Sequence, residues 1–317
     1  MANRWMNAVL TGLAAASLLS TSAAAQQPLP LKAGKAWKHK HSGISVPATL
    51  AGTPREQGMA YVPDDLDVGL SFVVGDAVES LTFYIFRNTN GGVPVWFSQA
   101  QWGIENRDTY GHPPIVVAPQ AFVPPGQRIA SGLKAIYAPK SGSYRSTGIM
   151  LLPVGDWYVK VRGSSQTRSP EELSAWMDAA LAEIKWPKKI ESSALAVPVM
   201  PCATPLVFSI EAKDAPKNGS ADLLGGVLGM MVADGQVKPT PESEAALTNT
   251  RWCRDSSVDG NAAVYRRDED PERYLLAVGD NGNGIWVEPD AGAALLTTAQ
   301  KDAPVAPRFS IKLMMAA

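Results

Sequence analysis

"STGIMLLPVGDWYVKVRGSSQTRSPEELSAWMDAALAEIKWP", Ser146 to Pro187, holds two strand signals, a tight turn between them, and then a helix. In WYVKVRG, Trp157, Val159 and Val161 alternate with Tyr158, Lys160 and Arg162. That is the two-residue period of a strand with one dry face and one wet face. Ser169 is a fit N-cap, Pro170 takes the first helical position, and Glu172 completes a capping box with Ser169. Leu173, Trp176, Met177, Ala180, Leu181 and Ile184 then recur at helical spacing on one side, and Pro187 marks the stop. A helix with a single apolar stripe needs something flat to lie on. The stretch therefore predicts a helix from Ser169 to Trp186 packed on a sheet, with Asp178 and Glu183 on its wet face.

Working outward, LDVGLSFVV (Leu66 to Val74), LTFYIFR (Leu81 to Arg87) and RIASGLKAIYA (Arg128 to Ala138) read as further strands. VPVWFSQAQWGIENR reads as a second helix, with Val93, Phe97, Ala100 and Ile104 on one face. Strands in hairpin order with few helices predict an α+β fold, an antiparallel sheet packed by helices, over residues 36–187. Residues 188–200 lose periodicity and read as a linker. Residues 201–317 read as a second, smaller mixed and mainly-β domain. In it NAAVYRR, RYLLAVGD and GIWVEPD are strand candidates, as are PLVFSIEA and RFSIKLMM. GDNGNG (Gly279 to Gly284) is a strong hairpin turn. SADLLGGVLGMMVADG is a possible helix weakened by Gly225, Gly226 and Gly229.

The first residues read as an address rather than as fold. Arg4 forms a short basic region, Ala8 to Leu19 an apolar one, and STSAAAQQ offers a cleavage site most simply after Ala25. The expectation is a signal peptide over residues 1–25 and a soluble, exported, periplasmic chain. No later apolar run is long enough for a membrane helix. A net charge of −1 and the absence of a Lys/Arg cluster beyond Lys188–Lys189 argue against nucleic acid as a partner.

The chemistry is sparse. His39 and His41 would share one face of a strand, but no third ligand stands at a known spacing and Lys35, Lys38 and Lys40 oppose a cation. They read as a solvated strand edge, and no metal or other cofactor is expected. Cys202 and Cys253 are the only cysteines, and in an exported chain they are expected to form a disulfide. SGLK (Ser131 to Lys134) and KSG (Lys140 to Gly142) lack the third element of a penicillin-recognising site. DSSVDGNAAVYR (Asp255 to Arg266) opens like a calcium loop, yet ends on Arg266 where a bidentate Glu belongs. Asp64–Asp65 and DEDPE (Asp268 to Glu272) read as exposed turns. Trp102, Tyr110 and His112, beside a proline-rich loop running to Pro125, are the candidate binding residues. The competing reading folds the loop over them.

HSGISVPATLAG, VESLTFYIFR and the closing unit quoted first together resemble the PsbP/Mog1-type sandwich. They are also similar to uncharacterised exported bacterial proteins with the same strand-then-helix ending. The resemblance covers roughly the N-terminal half of the chain. It implies a non-enzymatic accessory or binding role and brings no functional residues with it. The expected function is a binding or envelope-accessory protein whose partner is an envelope protein or a small ligand. The alternatives are a periplasmic hydrolase with an unconventional site between the domains, and a carrier of an apolar ligand held between sheet and helix.

Overall fold

In the computed structural model the described residues are 26–87, 90–191, 193–206, 251–257, 260–271 and 273–287. The leader, the glycine-interrupted helix candidate, RFSIKLMM and most of PLVFSIEA lie outside them. The strands are β1 (Gln27–Pro28), β2 (Trp37–Lys38), β3 (Ser45–Val46), β4 (Thr49–Leu50), β5 (Thr53–Ala60), β6 (Asp67–Val74), β7 (Glu79–Arg87), β8 (Ile115–Phe122), β9 (Gly132–Tyr137), β10 (Ser146–Val154), β11 (Trp157–Ser165), β12 (Met200–Pro201), β13 (Trp252–Asp255), β14 (Ala262–Arg267), β15 (Tyr274–Val278) and β16 (Asn283–Val287). The helices are α1 (Gly92–Glu105) and α2 (Pro170–Ala182), with two short 3-10 turns at Pro63–Asp65 and Asp108–Tyr110.

The larger sheet runs β1-β5-β6-β7-β11-β10-β9-β8, with β4 paired to β5, and all its pairs are antiparallel. A smaller sheet runs β12-β13-β14-β15-β16, with only β12–β13 parallel. This is a β-rich sandwich of two sheets, which corrects the α+β class expected from the sequence. Two helices of 14 and 13 residues accompany sixteen strands among the described residues. The sequence reading missed strands that are short or irregular. β8 contains Pro119 and departs from regular register twice, which an edge strand tolerates because one side of its backbone needs no partner.

Register explains the two cores. Val161 opposes Phe83, which opposes Leu70, and Val159 opposes Ile85, which opposes Val68. This face is covered by Leu173, Trp176, Met177, Ala180 and Leu181 of α2. The capping box is formed, with Ser169 accepting from the Glu172 N–H and the Glu172 carboxylate accepting from the Ser169 N–H. The interface is filled: a Cβ on Gly163 would lie 3.0 Å from Met177 Sδ.

The opposite face carries Phe86, Tyr158, Ile149, Leu151, Leu133, Ala135 and Tyr137, and is covered by α1. Here the alternation in WYVKVRG misleads. Its second face, read as wet, packs under α1 and the smaller sheet, and Lys160 is buried with it. The single apolar face assigned to α1 is likewise too narrow. Trp96 and Gln99 are buried as fully as Phe97 and Ala100, because α1 touches β9 and β10 on one side and β15 on the other. Trp252, Tyr265, Leu275 and Ala277 of the smaller sheet belong to the same apolar cluster as α1.

Candidate functional site

Two places combine unusual chemistry with position. The first is a groove of about 610 Å³ lined by Val197, Pro198, Met200, Pro201, Arg251, Trp252, Cys253, Asp268 and Glu269. Its apolar wall comes from the extended chain that enters β12, where Met200 is 66% exposed and Val197 40%. Trp252, buried in β13, forms the floor. Cys202, one residue past β12, is bonded to Cys253 of β13, so wall and floor are joined covalently. The charged rim is Arg251, before β13, and the acidic turn after β14. Asp268 and Glu269 both hold positive φ, at 50° and 59°. Side chains rarely adopt that conformation, which costs of order 1 kcal/mol or more per residue and concentrates at functional positions. The Asp268 N–H donates to the Arg251 carbonyl, and the Glu269 carboxylate accepts from the Ala203 N–H at 3.3 Å.

Behind the groove, Arg266 and Asp255 form a fully buried ion pair at 3.0 Å. Asp255 also accepts from the N–H groups of Leu206 and Ser257, and Arg266 donates to the carbonyls of Glu269 and Thr204. Each charge of the pair is thus used to fix chain around the groove.

The second place is a charged junction where the Gly279–Gly282 turn meets the larger sheet. Lys160 Nζ donates to the Asp280 carbonyl at 2.9 Å and lies 2.8 Å from Asp280 Oδ2. It also lies over the rings of Tyr84 and Phe86, at 4.7 and 5.4 Å. Asn281 Nδ2 donates to Asp67 Oδ2 at 3.5 Å. Burial holds the Lys160 ammonium below its ordinary value, against the opposing pull of Asp280. Burial pushes the Asp67 carboxyl up to about 6, although the Lys160 charge resists. For Asp280 burial acts upward too, but Lys160 and Arg162 together outweigh it and hold the carboxyl low. Gln99 of α1 fastens the same turn: its Nε2 donates to the carbonyls of Gly279 and Asn261, and its Oε1 accepts from the Tyr265 hydroxyl.

The residues singled out from sequence fare unevenly. Tyr110 is buried and its hydroxyl is bonded to Ser164 at 3.1 Å. Trp102 is half-buried with Arg254 5.8 Å from its ring, and His112 is exposed, its Nδ1–H donating to the Glu105 carbonyl. Tyr110 is therefore withdrawn from the surface that the three were expected to share. His39 is also no part of a solvated edge. It is buried, its Nε2–H donates to the Asp65 carbonyl, and its Nδ1 accepts from the Ser42 N–H. That arrangement selects the neutral ring, and burial lowers its pKa from the ordinary 6.5. His41 stacks on Trp157 and donates to the Asp64 carbonyl. The pair clamps a turn in which Asp64 and Asp65 both have positive φ. Among the described residues no group of three or more His, Cys, Asp or Glu side chains is placed to hold a metal.

Neither place was legible as a site in the sequence. Met200 and Val197 lay in the supposed linker. Lys160 and Asp67 lay in strands whose alternation marked them as wet or gave them no role. The paired αL residues after β14 leave no sequence signal beyond the acidic turn itself.

No family model matches the chain, and no curated protein matches it. A crystal structure of a protein from Bacteroides thetaiotaomicron VPI-5482 is similar at 11% identity and a TM-score of 0.20, over 68% of this chain and 78% of that one. A likeness that low defines neither class nor role. Among the described residues no helix is long and apolar enough to cross a membrane.

Proposed function

We propose that this chain is an exported, periplasmic binding or accessory protein of the envelope. In this reading its groove takes an apolar segment of a partner protein with a basic residue at one end. The observation that carries the reading is the exposure of Met200 and Val197 over a tryptophan floor, in a groove braced by the Cys202–Cys253 bond. Large apolar side chains held rigidly at a surface mark contact sites, because burying them on a partner recovers the free energy of removing them from water. Asp268 and Glu269, on the rim, supply the charge complementary to a basic residue. The disulfide supports an oxidising compartment.

The test is site-specific photocrosslinking from position 200 in cells, with the adduct identified by mass spectrometry. A peptide made from the crosslinked segment of the captured protein should then bind the pure protein. Binding should fall about tenfold or more when Asp268 and Glu269 are both replaced by Lys, the size expected for a lost charge pair plus new repulsion. Crosslinks that spread over unrelated proteins, or a peptide indifferent to those substitutions, would refute the reading. A small apolar molecule retained in native mass spectra and displaced by Met200→Lys would instead make the protein a carrier.

A further inference from the structure

We propose that Lys160 and Asp280 are joined by an intramolecular amide bond, which fastens the turn between β15 and β16 to the larger sheet. The inference is independent of the groove and its partner. It starts from a juxtaposition of three side chains from distant parts of the chain. Lys160 projects from the centre of β11, and its side chain is 4% exposed. Its amine leans over Tyr84 and Phe86 of the neighbouring strand β7, with Nζ 2.8 Å from Asp280 Oδ2. Asp67 lies on β6, the strand beyond. It opposes Phe86, which opposes Tyr158 of β11, so the lysine reaches across β7 toward it. Asn281, next to Asp280, donates to the Asp67 carboxyl.

An ordinary ion pair is a poor use of this place. Lys160 gives up its hydration here while the Asp280 side chain stays 31% exposed, so their attraction repays the cost only partly and adds little stability beyond an apolar replacement. The same burial favours condensation. Holding the two reactants at contact distance removes the entropic cost of bringing them together, worth several orders of magnitude in rate. Around the buried Nζ the low-dielectric surroundings disfavour the charged amine. Burial lowers the lysine and raises Asp67 to about 6, which brings amine and carboxyl closer in proton affinity, while the Lys160 and Arg162 charges hold Asp280 low.

The step balances without any co-reactant. The reactive form is the minor one in which the proton has passed from Lys160 to Asp280, leaving a free amine and a carboxylic acid against the low pKa of that carboxyl. The nitrogen lone pair attacks Asp280 Cγ, forming the C–N bond while the carbonyl π electrons move onto oxygen. Asp67 gives its proton to the departing hydroxyl and takes one from the nitrogen, so it ends as it began. The C–OH bond breaks, the carbonyl re-forms, and one water leaves. Amine plus carboxylic acid becomes amide plus water, with no change of oxidation state. Asp67 acts as the proton carrier of the step.

The experiment is the intact mass of the mature protein, denatured, with the Cys202–Cys253 bond allowed for. The expected mass is lower than the sequence mass by one water. After tryptic digestion the peptide containing Lys160 should remain uncleaved at that residue and be linked to the peptide containing Asp280. Lys160→Met and Asp280→Ala should each restore the full mass. Asp280→Asn should form the same link with loss of ammonia in place of water. Asp67→Asn, if its circular dichroism matches that of the wild type, should be found largely unlinked. An unmodified wild-type mass overturns the proposal without recourse to any variant. So does a water loss that persists in Lys160→Met, or one that maps to the Asn281–Gly282 step.

Discussion

Replacing Asp178 with Ala should destabilise the protein markedly, although Asp178 is an exposed residue of α2. Both of its oxygens accept from Lys134 Nζ at 2.7 Å, and the Ser174 carbonyl is a third, longer partner at 3.3 Å. The lysine belongs to β9 and its side chain is 7% exposed, whereas that of Asp178 is 56% exposed. Removing the carboxylate therefore leaves a cation held under the helix with one carbonyl for company. Breaking a fully buried pair costs about 3 to 5 kcal/mol and breaking an exposed one about 0 to 1. With one buried partner and one wet partner, the expectation is about 2 kcal/mol. Lys134→Met removes the charge itself, so the double variant should recover to within about 1 kcal/mol of the wild type. Urea unfolding monitored by circular dichroism reads each value from the shift in midpoint at constant m. If Asp178→Ala stays within about 0.5 kcal/mol, the range of ordinary surface changes, the buried lysine does not depend on it and the reasoning fails. It fails equally if the double variant is as unstable as the sum of the singles.

Two glycines make a contrasting pair. A Cβ on Gly148 would lie 2.5 Å from Ile136 Cδ1 and 3.3 Å from the Ala135 carbonyl, so Gly148→Ala should cost about 1 to 3 kcal/mol in the same melts. Gly103, inside α1, has nothing nearer than Arg162 Nη2 at 3.9 Å, and Gly103→Ala should stabilise by roughly 0.5 to 1 kcal/mol. Ser169→Ala should remove about 1 kcal/mol by deleting the N-cap, and Ser169→Asp should restore most of it. His39 should make the fold sensitive to mild acid. Its folded pKa lies below 6.5, so from that pH downward the unfolded chain binds a proton that the native ring refuses, and stability falls. Asp67, raised to about 6, acts with the opposite sign below that pH. The informative quantity is therefore the difference between wild type and His39→Gln measured from pH 7 to 5. A difference that does not shrink on acidification would show that His39 is not held neutral.

The sequence revealed most where a residue's neighbours lie close along the chain. The capping box of Ser169 and Glu172, the apolar stripe of α2 and the GDNGNG hairpin between β15 and β16 are local, and they were read correctly. The two cysteines could be paired because there was no other choice, and the bond is present. What failed depended on a second covering layer. The period-two alternation of β11 reports that its faces differ in polarity, not which of them meets water. Lys160 reads as wet until Asp280 arrives from 120 residues further on. The same layer buries Trp96 and Gln99 on α1. Helical spacing picked out only the face of Val93, Phe97, Ala100 and Ile104, because nothing nearby in sequence covers the other. The α+β expectation failed for a related reason, since strands as short as β12 or as irregular as β8 lack the run of alternation by which strands are recognised.

The burial of α1 between two sheets also has a consequence for time. The strands that cover its outer side begin at Trp252, long after α1 itself has been made. An intermediate in which the larger sheet and both helices have formed, but β13 to β16 have not, presents Trp96 to water and leaves Gln99 without its partners at Asn261, Gly279 and Tyr265. Such a species is collapsed yet adhesive, the kind that aggregates or recruits a chaperone. Docking of the β15–β16 hairpin covers this face, so substitutions in β15 and β16 should lower the yield of native protein more than they lower its equilibrium stability.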